Sequence, residues 1–167
     1  IRLTKMVVEA ARPMGVTVEA ELGTVGGKED SVSADILYTD KDEAKAFAEQ
    51  TGVDIFAIAI GTAHGFYKGE PKLDFERLSE IRALIDTPLV LHGGSGIPDE
   101  KVKEAIKRGM SKVNIATELR AAATKAVRNV LEDGSVIDPK KYMGAARDAV
   151  KALCIEKIHL CGSNGRA

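Results

Sequence analysis

Two apolar stretches that each end in histidine and glycine decide the predicted fold: IAIGTAHG at residues 58–65 and PLVLHGGSG at residues 88–96. Each is typical of a buried strand, and each places a histidine, His64 or His92, where the strand ends. The chain has only 3 histidines, so chance does not readily explain this repeated placement. In parallel α/β proteins, active sites are built at the carboxyl ends of the strands. The two stretches therefore predict a parallel sheet with a functional site at one edge.

Strands and helices alternate along the chain, at about 30 residues per unit. The predicted strands cover 16–22, 55–61, 89–91 and 112–116, and the predicted helices cover 2–12, 40–51, 74–85, 99–108, 117–131 and 139–158. Residues 23–40 are predicted to form one long loop. The alternation predicts a parallel sheet with right-handed crossovers.

Four parallel strands fit either a small doubly wound sheet or half of a TIM (β/α)8 barrel. A whole barrel takes about 250 residues, so a length of 167 residues favours the half-barrel. The expected fold class is thus α/β, with residues 1–167 forming the C-terminal half of one barrel domain and closing helices from about residue 139. The chain begins inside a predicted helix without an initiator methionine, which suggests a segment of a longer protein.

The composition excludes several classes of function. A net charge of −1 gives no electrostatic reason to expect nucleic acid or a membrane surface as a partner. The apolar runs are much shorter than the about 20 residues that span a bilayer. Cys154 and Cys161 do not form a CxxC zinc motif and are typical of a reducing compartment. A cytoplasmic location is therefore expected.

His64 and His92 are candidate metal ligands. Catalytic zinc takes three protein ligands and keeps one position open, and neighbouring barrel strands bring their C-terminal side chains within reach of one ion. The spacing alone fits equally well with two hydrogen-bonded, metal-free side chains at the mouth of a barrel. His159, near the C-terminus and away from any predicted strand end, is interpreted as a surface or interface residue.

Two loops after the last predicted strands are candidate phosphate sites, GGSG at residues 93–96 and NIAT at residues 114–117. Glycine lets the backbone approach a ligand closely, and N–H groups at the start of a helix bind anions. The loops after the final strands are also where TIM barrels hold phosphate. The alternative is a pair of tight turns whose glycines satisfy only backbone geometry.

Acidic residues provide further candidates. Glu19 and Glu21 share one face of the first strand; Glu19 is interpreted as part of a salt-bridged polar layer, and Glu21, nearer the carboxyl end, as a functional residue. Glu29 and Asp30 lie on a glycine-hinged loop that could close over a substrate, unless its charged tip is only solvated. Lys68, close behind His64, could reach an anion, although a solvated lysine is the simpler interpretation.

Five motifs, in order, resemble the C-terminal part of a class II, zinc-dependent ketose-bisphosphate aldolase. They are VEAELG (18–23), GGKED (26–30), GTAHGFY (61–67), LVLHGGSGIP (89–98) and KVNIATE (112–118), and the resemblance runs from about residue 3 to the end. The pairs TA at 62–63 and AT at 116–117 resemble the tagatose-bisphosphate branch. In contrast, GGSGIP at 93–98 and DPKKY at 138–142 resemble the fructose-bisphosphate enzymes.

The resemblance implies a set of roles. Zn²⁺ would be the cofactor, with a monovalent cation as a further candidate; His64 and His92 would be two of three zinc ligands, and Glu21 would bind a second or alternate metal position. Glu29 would transfer protons, and Arg166 would reach the second phosphate of the substrate from a neighbouring subunit. The phosphate of dihydroxyacetone phosphate would be held by Gly65, Gly93, Gly94, Ser95, Asn114, Ile115, Ala116 and Thr117. The family's third zinc histidine and its catalytic aspartate belong to the first half of the barrel, which these residues do not include.

The implied activity is aldol cleavage or condensation of a ketose 1,6-bisphosphate, tagatose or fructose, with dihydroxyacetone phosphate and glyceraldehyde 3-phosphate as the products of cleavage. The family habit implies a homodimer or homotetramer. No lysine at a predicted strand end is placed for a Schiff base, which disfavours the lysine-dependent route. Two alternatives stay open: a related aldolase with a different aldehyde partner, and an inactive segment that only binds phosphate or associates with other subunits.

Overall fold

The computed structural model describes residues 1–29, 32–67 and 69–166. The chain divides into two compact units, Ile1–Asn114 and Ile115–Ala167. The single barrel domain expected over residues 1–167 is not tested by this division and stays a prediction. Asp30 and Lys68, both named as candidates above, lie outside the described residues.

The first unit carries the strands and four of the helices. The strands are β1 (Glu19–Leu22), β2 (Gly26–Glu29), β3 (Val32–Ala34), β4 (Ile55–Ile58), β5 (Ala63–His64), β6 (Leu89–Leu91) and β7 (Met110–Val113). The helices are α1 (Arg2–Ala11), α2 (Lys41–Thr51), α3 (Phe75–Leu84) and α4 (Asp99–Lys107). A single 3-10 turn, Arg12–Met14, follows α1.

A four-stranded parallel sheet, which we call the main sheet, forms the centre of this unit in the order β1-β4-β6-β7. Neighbouring strands follow one another with helices between them, as the alternating pattern predicted, so the α/β prediction with parallel strands is confirmed. The two central strands are buried along almost their whole length, which explains why their sequences do not alternate between polar and apolar residues. The four carboxyl ends meet at one edge.

Local capping explains why several helix boundaries were predicted closely. The side chain of Asp40 accepts hydrogen bonds from the backbone N–H groups of Asp42 and Glu43, and Gly52 ends α2 in the left-handed conformation at φ 62°. Asp74 caps α3 in the same way by accepting from the N–H of Arg77. Such caps are local in sequence, so their residues identify the ends of a helix directly.

The prediction of one continuous loop over residues 23–40 is wrong. β2 and β3 form an antiparallel hairpin, and β2 also pairs in parallel with β5, giving a second sheet in the order β3-β2-β5. We call it the hairpin sheet. Gly27 has φ +91° and lies so close to His64 that any Cβ atom would clash with the His64 backbone. Glycines that pair through a close backbone approach lack the apolar alternation from which strands are predicted.

Three of the predicted strands also need corrected boundaries, and the one predicted at 16–22 begins only at Glu19. The strand predicted at 55–61 ends at Ile58, and His64 instead ends the separate strand β5. A turn at Gly61, with φ +106°, separates the two strands. The strand predicted at 112–116 runs from Met110 to Val113, because a turn at Gly109 with φ +111° ends just before it.

The second unit consists of α5 (Thr117–Leu131) and α6 (Pro139–Leu160). Asp138 caps α6 by accepting from the N–H of Lys140, and Pro139 occupies the first turn, where its missing N–H costs nothing. A salt bridge of 2.7 Å joins Lys157 Nζ on α6 to Glu118 Oε2 on α5. Within the part of the chain that the structure describes, no helix combines the length and the apolar character needed to cross a membrane.

Candidate active site

His92, directly after β6, contacts two carboxylates from β1. Its Nδ1 lies 2.6 Å from Glu21 Oε2 and its Nε2 lies 2.9 Å from Glu19 Oε1. The glutamates share one face of β1 because residues two apart on a strand point the same way. Strand β4 lies between β1 and β6, and its residue paired with Glu21 is Ala57. Ala57, with its small side chain, thus separates the two strands that carry these longer side chains.

These contacts favour the protonated form of His92. The hydrogen bond to Glu21, with that to Glu19 and the two negative charges, raises the pKa of His92 above its ordinary value, although partial burial lowers it. An imidazolium can donate from both ring nitrogens at once, which both carboxylates require. The contacts and the raised pKa thus both favour a proton on His92 between the two carboxylates.

Glu19 is shared between His92 and a lysine. Lys112 Nζ lies 2.7 Å from Glu19 Oε2. Partial burial raises the pKa of Glu19, but the hydrogen bonds from Lys112 and His92 outweigh it and hold that pKa below its ordinary value. The interpretation of Glu19 as part of a salt-bridged layer agrees with these contacts.

His64 lies beside His92. The centroids of the two imidazole rings are 6.2 Å apart, with an angle of 35° between the ring planes. Two imidazoles that share one tetrahedral zinc ion have their centroids about 5 Å apart. The two rings are therefore about 1 Å further apart than a shared ion requires.

The described residues offer only part of a metal site. Within 1–29, 32–67 and 69–166, no group of three or more His, Cys, Asp or Glu side chains is placed to hold an ion. His92 has a carboxylate at each ring nitrogen, so one of these contacts must give way before it can bind a metal. The remaining carboxylate would then orient the ring, as is usual for a histidine that binds metal. The donor set thus fits zinc but is incomplete.

The loop after His92 is built by close backbone approaches. Gly93 has φ +67°, and a Cβ atom there would lie 2.6 Å from the carbonyl oxygen of Ala63. The N–H of Gly94 donates to the carbonyl of Asn114 at 2.9 Å, so this N–H is already engaged within the protein. Ser95 is buried. The Gly94 N–H is thus committed to the neighbouring strand end, and the binding of an anion by this loop stays a prediction.

Tyr67 lies in the site, although the sequence predicted no role for it. Its hydroxyl accepts a hydrogen bond from the N–H of Ala63 and donates one to the carbonyl of Gly93, each at 2.9 Å. Burial raises the pKa of Tyr67, and the N–H of Ala63 only partly offsets this. The only sequence signal was its position three residues after a candidate ligand, and no general sequence pattern assigns a role to a tyrosine at that spacing.

The remaining predicted site residues stay predictions. Glu29 is the last residue of β2, the strand that pairs with the His64 strand. Gly65 has φ +94° and open space around its Cα. Four predicted phosphate-binding residues lie in the second unit: Ile115, Ala116, Thr117 and Arg166. Their contact with phosphate is an expectation from the sequence.

Comparisons with known proteins define the family. Residues 1–166 match the sequence profile of the family "Fructose-bisphosphate aldolase class-II". The fructose-bisphosphate aldolase of Geobacillus stearothermophilus is 50% identical over 169 residues, covering 100% of this chain and 59% of that protein. The chain therefore spans about three-fifths of the length of the curated relatives that it matches.

Solved structures of aldolases are similar to this chain over almost its whole length. The YdjI aldolase of Escherichia coli K12 superimposes with a TM-score of 0.84 at 44% identity, covering 99% of this chain and 57% of that chain. A protein described as a putative fructose-1,6-biphosphate aldolase from Coccidioides immitis gives a TM-score of 0.89 at 29% identity, covering 99% and 58%. The chain is thus an α/β protein equivalent to about half of an aldolase fold, as expected from the half-barrel prediction. It belongs to the class II fructose-bisphosphate aldolase family.

Proposed function

We propose that the whole protein carrying this segment catalyses metal-dependent aldol cleavage and condensation of a ketose 1,6-bisphosphate. The observation that carries the proposal is the placement of His92 between Glu19 and Glu21, with His64 beside it, at the carboxyl edge of the main sheet. Family membership over residues 1–166 supports the same activity. The products would be dihydroxyacetone phosphate and glyceraldehyde 3-phosphate.

His64 and His92 are the proposed zinc ligands, and the third would come from residues outside this segment. Cleavage of the C3–C4 bond leaves a carbanion next to a carbonyl group, and a bound Zn²⁺ supplies the Lewis acidity that stabilises it. Glu19 would hold Nε2 of His92, leaving Nδ1 directed to the metal in place of Glu21. Glu21 is then free to act as the carboxylate of a second metal position.

The charge of the site supports this exchange. A protonated His92 between two carboxylates occupies the place of a cation, and binding of a metal releases that proton. The negative charge of Glu19 and Glu21 would favour the incoming ion, and Lys112 limits the charge that Glu19 contributes. The cluster is thus suited to exchange a proton for a divalent cation.

The phosphate of dihydroxyacetone phosphate is proposed to lie over the loop of Gly93, Gly94 and Ser95 and beside Gly65 and Asn114. Binding of a phosphate group away from the reacting carbon supplies the binding energy that orients the substrate for the reaction. The Gly94 N–H is engaged with the carbonyl of Asn114, so Gly94 would contribute a close backbone approach to the phosphate rather than a hydrogen-bond donor. On the family resemblance alone, Ile115, Ala116 and Thr117 are further proposed phosphate contacts, and Arg166 is proposed to bind the second phosphate.

Glu29 is proposed to move the hydroxyl proton during cleavage. It belongs to the strand that pairs with the His64 strand, so the hairpin connects it to the metal ligands through the backbone. Positioned acid–base groups typically contribute 10²- to 10⁴-fold to a rate. Replacing Glu29 by Gln should lower kcat by that order while the KM changes little.

The test of the proposal compares two histidine variants of the whole protein. His92→Ala should lose cleavage activity and tightly bound zinc together, since removal of one of three ligands destroys the coordination. His159→Ala is the matched control, because His159 is exposed on α6. Wild-type activity that survives complete removal of metal by a chelator would contradict the proposal, as would a His92→Ala variant with normal zinc content.

A fructose substrate is favoured over tagatose by the names of the relatives, whereas the E. coli structure is described only as an aldolase. The ratio of kcat/KM for the two bisphosphates decides between them. We also propose a homodimer or homotetramer, as the family resemblance implies. A cytoplasmic location is supported by the two cysteines, which are both free thiols.

A further inference from the structure

The two candidate metal ligands belong to different sheets. His64 ends β5, which pairs with β2 of the hairpin sheet, whereas His92 follows β6 of the main sheet. Sheet pairing alone therefore does not fix the distance between the two imidazoles. A metal site needs that distance to be held closely, because ligand geometry sets both affinity and reactivity.

Tyr67 links the two sheets at the histidines themselves. Its hydroxyl accepts from the N–H of Ala63, which immediately precedes His64, and donates to the carbonyl of Gly93, which immediately follows His92. Both bonds are 2.9 Å long. A single oxygen atom thus joins the peptide groups beside both candidate ligands.

The surroundings are shaped for this link. A Cβ atom on Gly93 would lie 2.6 Å from the Ala63 carbonyl oxygen, so the two backbones can approach this closely only with glycine at position 93. A Cβ atom on Gly96 would lie 3.4 Å from Cδ2 of Tyr67, which places the edge of the tyrosine ring alongside the same loop. The close backbone approach and the ring contact thus accompany the position of the hydroxyl between Ala63 and Gly93.

We infer that Tyr67 is a positioning residue for the metal site: its hydroxyl holds the backbone at His64 against the backbone at His92 and so sets the separation of the two imidazoles. The inference rests on the proposed function for the identity of the ion that uses this separation. It does not require the hydroxyl to touch substrate or metal.

Tyr67→Phe is the direct test in the whole, zinc-loaded protein. It removes one oxygen atom and leaves the ring in place. Partners that orient metal ligands typically contribute 10- to 100-fold to metal affinity. We expect Zn²⁺ affinity, measured by competition with a chelator, to fall by that factor. The visible absorption spectrum of the cobalt-substituted protein should also change, because it reports ligand geometry.

Thr51→Val is the matched control for the loss of a bridging hydroxyl. The hydroxyl of Thr51 donates to the carbonyl of Phe47 at 2.7 Å and accepts from the N–H of Val53 at 3.4 Å. It lies at the end of α2, before β4 begins, and therefore at the opposite edge of the main sheet. This variant should lose stability but keep the zinc affinity and the cobalt spectrum of the wild type.

A readout in the metal-free protein separates this inference from the proposed function. The ring chemical shifts of His64 and His92 should both move in Tyr67→Phe and stay in place in Thr51→Val. If the wild type binds no metal, the proposed function fails while these shifts still test the link. Unchanged shifts in Tyr67→Phe would overturn the inference, as would zinc affinity and a cobalt spectrum like those of the wild type. Equal losses of zinc affinity in the two variants would overturn it as well.

Discussion

The main sheet and the hairpin sheet lie in the same unit, but different contacts stabilise them. Buried side chains hold the main sheet: Phe56 on β4 is 0% exposed and stacks on Phe47 of α2 with ring centroids 5.1 Å apart. At β2, in contrast, the backbone itself makes the contact, with Gly27 against His64. The first kind of contact determines stability, and the second determines where the site residues lie. Substitutions should therefore separate the two effects.

The largest expected change in stability comes from the core of the main sheet. Phe56→Ala should lower the free energy of unfolding by about 3–5 kcal/mol, because it removes a buried ring and leaves a cavity. Activity per folded molecule should be largely retained below the new midpoint. Chemical denaturation of the whole protein, with activity measured on the folded fraction, checks this. A variant that loses activity while keeping its stability would contradict the separation.

Gly27→Ala should show the opposite balance. Its φ of +91° and the clash of a Cβ atom with the His64 backbone cost about 1–3 kcal/mol of strain. The hairpin should then separate from β5 and displace Glu29. We therefore expect a large fall in kcat and only a small fall in the melting temperature. Gly134→Ala is the control, because a Cβ atom on Gly134 would meet nothing within 4 Å. Equal kinetics in the two variants would show that the hairpin contact does not matter for the reaction.

Thr39 fastens the segment that follows the hairpin to the carboxyl ends of β1 and β4, and its loss should have an intermediate effect. Its buried hydroxyl donates to the carbonyl of Leu22 at 2.6 Å and accepts from the N–H of Ala59 at 2.8 Å. Thr39→Val keeps the shape but leaves two backbone groups unsatisfied, at a cost of about 1–3 kcal/mol. Amide hydrogen exchange should then quicken at Ala59 and at the Thr24–Leu37 bridge. Unchanged exchange at both places would contradict this.

The smallest expected effect is a pH dependence of stability in the metal-free protein. The pKa of His92 is raised in the folded state, chiefly by Glu21, so folding takes up a proton over the range between about 6.5 and the raised value. This stabilisation is complete below the unfolded pKa and is lost as the pH rises through the folded pKa. Glu21→Gln should flatten the decline. A slope that is the same in both proteins would exclude the His92–Glu21 pair as its source.

The difference between side-chain packing in the main sheet and backbone contact in the hairpin sheet explains how much of the structure could be predicted from the sequence. Buried strands such as 89–91 and capped helices such as 41–51 depend on local patterns, so their positions could be predicted closely. The hairpin sheet depends on a backbone approach between Gly27 and His64, which are far apart in the sequence, and no local pattern reports it. The pairing of His92 with Glu21 and the link made by Tyr67 were missed for the same reason.

His92 is proposed to exchange its proton and one carboxylate for a metal ion shared with His64. A crystal of the whole protein soaked in Zn²⁺, with anomalous diffraction recorded at the zinc edge, tests it directly. We expect an anomalous peak bonded to both imidazoles, with Glu19 still hydrogen-bonded to Nε2 of His92. A peak that contacts neither histidine would contradict it, as would a His92 ring that still contacts both Glu19 and Glu21 in a zinc-loaded, active enzyme.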